Sequence, residues 1–473
     1  MPIRLTKSEL LEITDGQSTG TPKLIMHGLE YDSREIRGGE LFVALKGEKQ
    51  HGHEFLKTAY DRGAALFLVE DLNLLTSFPE PERLVVVSDT LVAFQKVAQA
   101  WRRRLGLPVI AVTGSVGKTT VKEMLAAILL KNSRGGFSLK SHNNHVGVPY
   151  TLCRLDPEHC WAVIEIGMNH AGEIATLVKI AEPDIALITK IAPAHMGAFL
   201  SIDEICAAKF EIVEGLKPTG KLLLNGEDPT ILRYLSNNKL NYIPLFFGDS
   251  ENSAVKVKNV ASLGLNGISF DLVIENDSYP VTMSSLGAHN ALNAAAATLA
   301  AHSLSANPSN ETIVSALNSF KLPLRRLQTE PLTKGRTLID DSYNANPESM
   351  AASLDFAGEL AASGVKVGLI LGDMLELGQN SPKFHQEIAN KAAMSKPVFV
   401  IGVGQYAQVY RQAAAEQGIT AFAAESAQAA GHLATKLNFD VILVKGSRDV
   451  GLLAVVEFLI EREGAAPAPP KNS

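Results

Sequence analysis

The feature that most constrains the fold is an apolar run that passes through a glycine-rich loop into a helical pattern, VIAVTGSVGKTT at residues 109–120. This order is typical of parallel α/β sheets that bind nucleotide phosphates, because backbone N–H groups of the loop and the helix start attract anions. In such a loop Lys118 reaches the outer phosphates and Thr119 ligates Mg²⁺. Val112 stands where the strict motif has glycine. The alternative interpretation is a glycine turn with a surface lysine.

Length and pattern predict an α/β protein of three domains, since a domain averages roughly 150 residues and the chain has 473. Short apolar runs separated by glycine predict a small α/β N-terminal domain at 1–88. Alternating strand and helix patterns predict a central P-loop parallel-sheet ATPase domain at 89–322. Four further apolar runs predict a C-terminal Rossmann-like, doubly wound domain at 323–463. The proline-rich end, 464–473, predicts a disordered tail.

Two stretches of the central segment depart from simple alternation of parallel strands and helices. Residues 254–283 alternate apolar and polar side chains around turns such as Asn266-Gly267, which predicts an antiparallel appendage. An alanine-rich stretch from His289 to about His302 predicts a helix.

Composition excludes several classes of protein. The formal net charge of −6 offers no basic surplus, which argues against a nucleic-acid partner. No apolar run approaches the roughly 18 residues of a membrane span, so no membrane insertion is expected. The N-terminus has no continuous apolar core of a signal peptide. Three cysteines with no metal-site or disulfide spacing point to a reducing, cytoplasmic location.

Three further side chains are candidates for catalysis or metal binding. Two of them lie at or after the ends of apolar runs, and the third lies in a helical stretch. Glu165 ends one such run, where a carboxylate would face the ligand crevice and hold a hard cation. His195 follows the next run, in APAHMG, and a neutral imidazole can ligate a metal. Lys209 lies in a helical stretch, CAAKFEI. The simpler interpretations are a solvated glutamate, a packing histidine and a solvated lysine.

A second set of candidates surrounds the predicted junction of the central and C-terminal domains. Asn290 and Asn293 share one helix face, and their amides suit a purine edge, unless they only cap and pack. Arg325 and Arg326 could close onto a phosphate or be a surface pair. The polar stretch DDSYNANP, residues 340–347, directly follows a strand and predicts a ligand loop rather than a plain turn. Asp373, Lys445 and Arg448 follow two further strands.

Together these stretches resemble the Mur ligases of peptidoglycan synthesis. The resemblance covers nearly the whole chain except its last residues. DDSYNANP is its most specific part and favours the members that add D-alanyl-D-alanine to a UDP-N-acetylmuramoyl-tripeptide. The matching stretches are DSREIRGGELFVALKG (32–47), TGSVGKTT (113–120), NNHVGVP (143–149), EIGMNHAGEI (165–174), DDSYNANP (340–347), LGDMLELG (371–378) and VKGSR (444–448).

The resemblance implies a role for each matching residue. The catalytic residues would be Lys118, His195 and Lys209, with Lys209 carried as a carbamate. ATP would lie against Thr113, Gly114, Ser115, Val116, Gly117, Lys118, Thr119, Thr120, Asn290, Asn293, Arg326 and Asp341. Two Mg²⁺ ions would be held by Thr119, Glu165, His195 and Lys209. The substrate-binding residues would be Ser33 and Arg34 at the uridine diphosphate, with Asn143, Asn144, Tyr343, Asn344 and Asn346. Gly197 stands where many relatives have glutamate.

The activity implied is ATP-dependent amide-bond formation through an acyl phosphate, in the cytoplasm and by a monomer, in a pathway that serves cell-wall biogenesis, cell shape and cell division. The alternatives are a sister ligase on the same scaffold, of the third-residue-adding, folylpolyglutamate or cyanophycin type, and a P-loop switch or motor. A switch usually has an aspartate at the strand end and often an arginine finger. The sequence leaves open whether the third peptide residue is lysine or diaminopimelate.

Overall fold

The computed structural model describes residues 3–20, 23–47, 50–139, 141–194, 196–275, 277–305 and 308–464. It confirms the α/β class: three sheets, each covered by helices, follow one another along the chain, together with a two-stranded ribbon near the N-terminus. Among the described helices, none combines the length and the apolar character that crossing a lipid bilayer requires.

The N-terminal part is built on a small parallel sheet of short, mostly apolar strands. Its order is β3-β4-β5-β6, and β1 and β2 form a separate antiparallel ribbon. The first helix begins with a capping box in which Thr6 and Glu9 satisfy each other's backbone N–H groups. The elements are β1 Arg4–Thr6, α1 Lys7–Thr14, β2 Ile25–His27, β3 Leu29–Glu30, β4 Leu41–Val43, α2 Leu56–Asp61, β5 Leu66–Val69, α3 Leu74–Ser77 and β6 Leu84–Val86.

The central part is built on a nine-stranded sheet of order β15-β14-β13-β12-β11-β10-β7-β9-β8. Strands β7 to β13 run parallel, and β13, β14 and β15 pair antiparallel. The elements are α4 Thr90–Leu105, β7 Val109–Thr113, α5 Lys118–Leu130, β8 Gly136–Phe137, α6 Gly147–Cys153, β9 Ala162–Glu165, α7 Glu173–Ala181, β10 Ile185–Ile188, α8 Ile202–Phe210, β11 Lys221–Asn225, α9 Pro229–Asn237, β12 Pro244–Gly248, β13 Ser253–Ser262, β14 Ile268–Ile274, β15 Asp277–Met283, α10 His289–His302 and α11 Asn310–Asn318.

The antiparallel segment differs from the expected appendage in one respect. Its strands are antiparallel as predicted, but β13 also pairs parallel with β12, so the segment extends the central sheet. Buried and half-buried residues alternate along β14, which explains the alternating sequence pattern. The alanine-rich helix α10 packs on this sheet and against α5, where small side chains allow close approach.

The C-terminal part is a doubly wound sheet of order β16-β17-β21-β18-β19-β20, parallel except for β16. The four apolar runs of the sequence form β17, β18, β19 and β21, whereas the edge strands β16 and β20 were not predicted. The elements are β16 Gln328–Pro331, β17 Thr337–Asp341, α12 Pro347–Ala362, β18 Val367–Gly372, α13 Ser381–Met394, β19 Phe399–Val403, α14 Ala407–Glu416, β20 Thr420–Ala424, α15 Ala427–Ala434, β21 Val441–Lys445 and α16 Leu453–Glu463.

The three sheets lie within the ranges expected for the three domains, whose boundaries stay a prediction. Gly464, expected as the first tail residue, instead forms an isolated antiparallel bridge with Leu332. The rest of the predicted tail, 465–473, lies outside the described residues. The carboxyl ends of β7, β9 and β17 all lead into loops that line one cavity.

Candidate active site

The cavity has a volume of about 360 Å³ and lies between the phosphate-type loop of the central part and the loops of the C-terminal part. This position agrees with the rule that ligands bind beyond the carboxyl ends of parallel strands. Most of the predicted site residues contribute to its wall. Those residues are Ser115, Val116, Gly117, Lys118, Thr119, Thr120, Asn143, Glu165, Asn290, Asn293, Arg326, Asp341, Tyr343, Asn344 and Asn346.

The glycine-rich loop joins β7 to α5. It is hydrogen-bonded to the segment that follows the neighbouring strand β10. The N–H of Ser115 donates to the carbonyl of Lys190 at 2.7 Å. Helix α5 begins at Lys118, whose Nζ donates to the carbonyl of Gly114 at 2.8 Å. Burial lowers the pKa of Lys118, an effect that the carboxylate of Glu165 opposes. The loop thus places a part-buried amine at a helix N-terminus, an arrangement that suits a phosphate.

Two glycines of this loop meet strict spatial limits. Gly114 has a φ of +145°, and a Cβ there would lie 2.0 Å from the hydroxyl of Thr189. Gly117 has a φ of +86°, and its Cβ would lie 2.7 Å from Oδ1 of Asn293. Any side chain at either position would push the loop away from its neighbours.

We therefore expect Gly114→Ala to lower the affinity for ADP at least about tenfold and to destabilise the fold by about 1–3 kcal/mol, from backbone strain and the clash with Thr189. Calorimetric titration and thermal unfolding measure the two effects. Gly106→Ala is the matched control, because Gly106 also has a positive φ, +63°, but open space around its Cβ. Equal ADP affinity in both variants would contradict the close approach.

Glu165 ends β9 with its carboxylate almost fully buried, 1% exposed. Asn143 Nδ2 donates to Oε1 at 2.9 Å. Oε2 has no hydrogen-bond partner among the described residues, and the nearest cation, Lys122 Nζ, lies 4.0 Å away. A buried carboxylate oxygen without a hydrogen-bond partner raises the free energy of the folded state unless a ligand binds to it.

The residues around this carboxylate fit a magnesium ion. Thr119, on the first turn of α5, contributes a hydroxyl and Glu165 a carboxylate oxygen, both of which are hard oxygen ligands that Mg²⁺ prefers. No cluster of three or more His, Cys, Asp or Glu side chains occurs in the described part of the chain. Because Mg²⁺ usually keeps several waters and binds substrate phosphates, two protein oxygens fit such an ion. His195, the third predicted ligand, lies outside the described residues.

Lys209 lies on α8 and is 2% exposed. Burial, reinforced by the positive charge of Lys118, holds the pKa of Lys209 well below its usual range. Lys209 does not line the cavity, but the charge of Lys118 contributes to the lowered pKa of Lys209, so the two amines interact electrostatically. A neutral amine at this position is a nucleophile.

The two asparagines at the start of α10 form the wall next to the glycine loop. Asn293 Nδ2 donates to Oδ1 of Asn290 at 2.9 Å, and Asn290 Nδ2 donates to the carbonyl of Leu286 at 2.7 Å. Burial lowers the pKa of the neighbouring His289. The closeness of Asn293 Oδ1 to Gly117 places this helix directly beside the glycine-rich loop.

Arg326 crosses from the C-terminal part to the glycine loop. Its guanidinium donates to the Thr119 hydroxyl at 3.0 Å and lies 4.5 Å from the ring centre of Tyr343. The hydroxyl of Tyr343 forms a hydrogen bond with the hydroxyl of Ser141 from the central part. Arg326, rather than Arg325, is thus the arginine that reaches the phosphate loop.

Asp341 and the two asparagines of the DDSYNANP loop are held in place by their neighbours. Lys445 and Ser353 donate to Oδ2 of Asp341 at 2.6 and 2.7 Å. Lys445 also donates to the carbonyl of Asn344 at 3.2 Å. Asn346 caps α12 by accepting from the N–H of Ser349 at 2.8 Å. These contacts fix the loop that faces the cavity.

Several predicted residues lie outside the cavity wall. Thr113 is fully buried and donates to the carbonyl of Ile166 at 2.8 Å. Asn144 caps α6, accepting from the N–H of Gly147 at 2.8 Å. In the N-terminal part, Ser33 is buried in the turn after β3, and Arg34 is exposed and pairs with Asp32 at 2.6 Å. Ser33 and Arg34, the residues expected to bind the uridine diphosphate, therefore lie outside this cavity.

The residues of the cavity wall that the sequence interpretation did not single out include Ser141, Lys190, Glu348 and Ser353. Lys190 follows β10 closely, so the rule on strand ends could have identified it. Glu348 and Ser353 lie on α12 and Ser141 lies in a loop, and only the tertiary fold brings these three to the cavity. Lys122, fully buried behind Glu165, was missed for the same reason.

Comparison with known proteins agrees with this arrangement. Three family models match in succession: the Mur ligase family catalytic domain at 25–117, the Mur ligase middle domain at 112–301, and the Mur ligase glutamate ligase domain at 325–448. The UDP-N-acetylmuramoyl-tripeptide–D-alanyl-D-alanine ligases of Escherichia coli K12 and Bacillus subtilis 168 are each 34% identical over 97% of this chain and 99% of their own length.

Solved structures agree as well. A crystal structure of MurF from Acinetobacter baumannii superposes with a TM-score of 0.86 at 30% identity, covering 98% of this chain and 100% of that one. MurF of Thermotoga maritima, solved in complex with ADP, superposes with a TM-score of 0.78 at 25% identity, covering 92% of this chain and 97% of that one. The expected resemblance is thereby confirmed, and this chain belongs to the Mur ligase family.

Proposed function

We propose that this chain is an ATP-dependent ligase that joins D-alanyl-D-alanine to UDP-N-acetylmuramoyl-tripeptide in peptidoglycan synthesis. The relatives that match it over nearly its full length are named for this reaction. The proposal depends on one observation: Lys118 and Glu165 of the central part and Arg326 of the C-terminal part line the same cavity. Two part-buried cations beside a buried carboxylate fit the transfer of a phosphoryl group from ATP.

The chemistry follows from the poor reactivity of a carboxylate, whose oxygen is a bad leaving group. The terminal carboxylate of the tripeptide attacks the γ-phosphorus of ATP, the bond to ADP breaks, and an acyl phosphate forms. The free amine of D-alanyl-D-alanine then attacks the acyl carbon and loses a proton. The tetrahedral intermediate expels inorganic phosphate and leaves the amide.

This chain's residues have separate tasks in the sequence of steps. Lys118 and Arg326 neutralise the charge that spreads over the phosphate oxygens during transfer. The backbone N–H groups of the glycine loop bind the phosphate chain, while Asn290 and Asn293 orient the base. Two bound Mg²⁺ ions would supply further positive charge to the phosphates, with Thr119, Glu165, His195 and a modified Lys209 as the residues that would hold them. The wall formed by Tyr343 and Ser141 excludes water.

The modification proposed for Lys209 is a carbamate. A neutral amine attacks CO₂, a C–N bond forms, and the proton leaves, so a buried base becomes an anion. The buried position of Lys209 and its lowered pKa support this proposal, because burial favours the uncharged form of the amine. The resulting anion would balance the positive charges of Lys118 and Arg326.

The binding of the sugar nucleotide and the setting in the cell are part of the proposal. Ser33 and Arg34 would hold the uridine diphosphate, and Asn143, Tyr343, Asn344 and Asn346 would contact the peptide end, with Asn144 shaping the turn before α6. A monomer is proposed because one chain supplies both sides of the cavity. The three free thiols support a reducing cytoplasm. The product would serve cell-wall biogenesis, cell shape and cell division.

The decisive test is phosphate release from ATP with UDP-N-acetylmuramoyl-tripeptide, measured with and without D-alanyl-D-alanine. We expect release to require both substrates and the pentapeptide product to be identified by mass. Tripeptides that end in lysine and in diaminopimelate should be compared. Activity with a single amino acid in place of the dipeptide would move the assignment to a sister ligase. Hydrolysis indifferent to both substrates would indicate a nucleotide switch.

A further inference from the structure

Lys190 joins the two parts of the chain at the cavity, although no role has been assigned to it so far. Its backbone carbonyl accepts the N–H of Ser115 at 2.7 Å, so the residue lies directly against the glycine loop. Its Nζ forms an ion pair with the carboxylate of Glu348, in the first turn of α12. Both residues line the cavity. The pair therefore bridges the glycine loop and the C-terminal part.

The partners of the other cations in the cavity wall show what is different about Lys190. Lys118 donates to carbonyls, and Arg326 donates to a hydroxyl. Lys445 pairs with Asp341, but that ion pair is nearly buried, with side chains 4% and 10% exposed. The side chains of Lys190 and Glu348 are 40% and 38% exposed. Solvent can therefore replace either partner at little cost.

The negative charge of ATP gives this ion pair a different role from a structural brace, that is, a pair that only holds the two parts of the chain together. The phosphate chain carries several negative charges, and it would enter a cavity that already presents Glu348. Like charges repel at short range, whereas a lysine is attracted to phosphate oxygens more strongly than to an exposed carboxylate. The position of Glu348 in the first turn of α12 favours its negative charge, whether or not Lys190 pairs with it.

We propose that Lys190 is a further phosphate-binding residue, and that Glu348 competes with the nucleotide phosphates for it. The inference rests on the proposed ATP-dependent function. If the proposal holds, removing the charge of Lys190 weakens nucleotide binding, whereas removing the charge of Glu348 tightens it. A structural brace would give the same direction for both.

The test is the affinity of the full-length chain for ADP and for ATP in the presence of Mg²⁺, measured by calorimetric titration. We expect Lys190→Gln to weaken binding about tenfold, since a charge-assisted hydrogen bond to phosphate is lost. We expect Glu348→Gln to tighten binding about two- to threefold, since an exposed competitor is removed. The double variant should resemble Lys190→Gln.

Two matched controls remove exposed ion pairs elsewhere. Asp355→Asn lies on α12 like Glu348, but pairs with Lys391 at 2.5 Å. Lys179→Gln removes a lysine that pairs with Glu214 at 2.8 Å. Both are expected to leave nucleotide affinity within about twofold of the unchanged chain, since such pairs contribute little. Thermal unfolding of every variant separates binding effects from loss of fold.

The outcomes separate this inference from the proposed function. Weakening by both Lys190→Gln and Glu348→Gln would overturn it in favour of a brace, and unchanged affinity in both would overturn it outright. In either case the unchanged chain would still bind ADP and release phosphate with both substrates. If the unchanged chain itself bound no nucleotide, the proposed function would fail, and the role of Lys190 with it.

Discussion

Lys118→Ala is expected to abolish substrate-dependent phosphate release, with a loss in kcat of about a thousandfold. The amine lies part-buried at the start of α5, where it donates to the carbonyl of Gly114 in the glycine loop at 2.8 Å. Its charge acts in a site that excludes water, where neutralisation of the transferring phosphoryl group is worth far more than at the surface. Phosphate release and product mass measure the effect.

The control for this variant must separate chemistry from folding. Desolvation lowers the pKa of Lys118, which means that the folded chain disfavours its charge. Removing this amine is therefore not expected to destabilise the fold, and the circular dichroism spectrum and the unfolding temperature should stay near those of the unchanged chain. Lys131→Ala, at the exposed end of α5, removes the same charge without touching the loop and should retain full activity. Near-normal turnover by Lys118→Ala would remove the loop from the mechanism.

Lys209→Ala is expected to lower activity by about a hundredfold or more, in a way that added bicarbonate does not restore. The variant lacks the amine that would take up CO₂, and with it the anion that would help to hold the second metal ion. Bicarbonate should instead raise the activity of the unchanged chain after it has been dialysed free of CO₂. This contrast distinguishes a carbamate from a lysine that only packs.

The carbamate itself can be observed directly. ¹³C-bicarbonate should give a carbamate resonance with the unchanged chain and none with Lys209→Ala. Lys179→Ala, which removes an exposed lysine from α7, serves as the control and should keep both the resonance and the activity. Absence of the resonance from an active, unchanged chain would contradict the modification while leaving the ligase reaction in place.

The sequence predicted the fold where strands are buried on both faces and therefore read as continuous apolar runs. Strands β7, β18 and β21 are of this kind, and all were identified. The edge strands β16 and β20 were missed, because QTEP and TAFAA are half exposed and carry polar or small residues. Pairing with a neighbour, rather than side-chain pattern, makes these segments strands.

The site was predictable where chemistry depends on residues close together in the chain. The glycine loop and DDSYNANP are such stretches, and both line the cavity. The pairs Ser141–Tyr343 and Lys190–Glu348 join residues far apart in sequence, and nothing local in either residue signals the other. The cap formed by Asn144 shows the reverse case, in which a residue of a ligand-like motif has a structural task.

The place of β7 in the central sheet has a consequence for biosynthesis. The strand lies between β10 and β9, so both of its neighbours are translated after it. A nascent chain that has passed the glycine loop still lacks Thr189, and it acquires Arg326 later still. Nucleotide can therefore assist folding only near the end of translation, since a ligand stabilises only a state that already binds it. Prematurely terminated chains would gain no protection from cellular ATP.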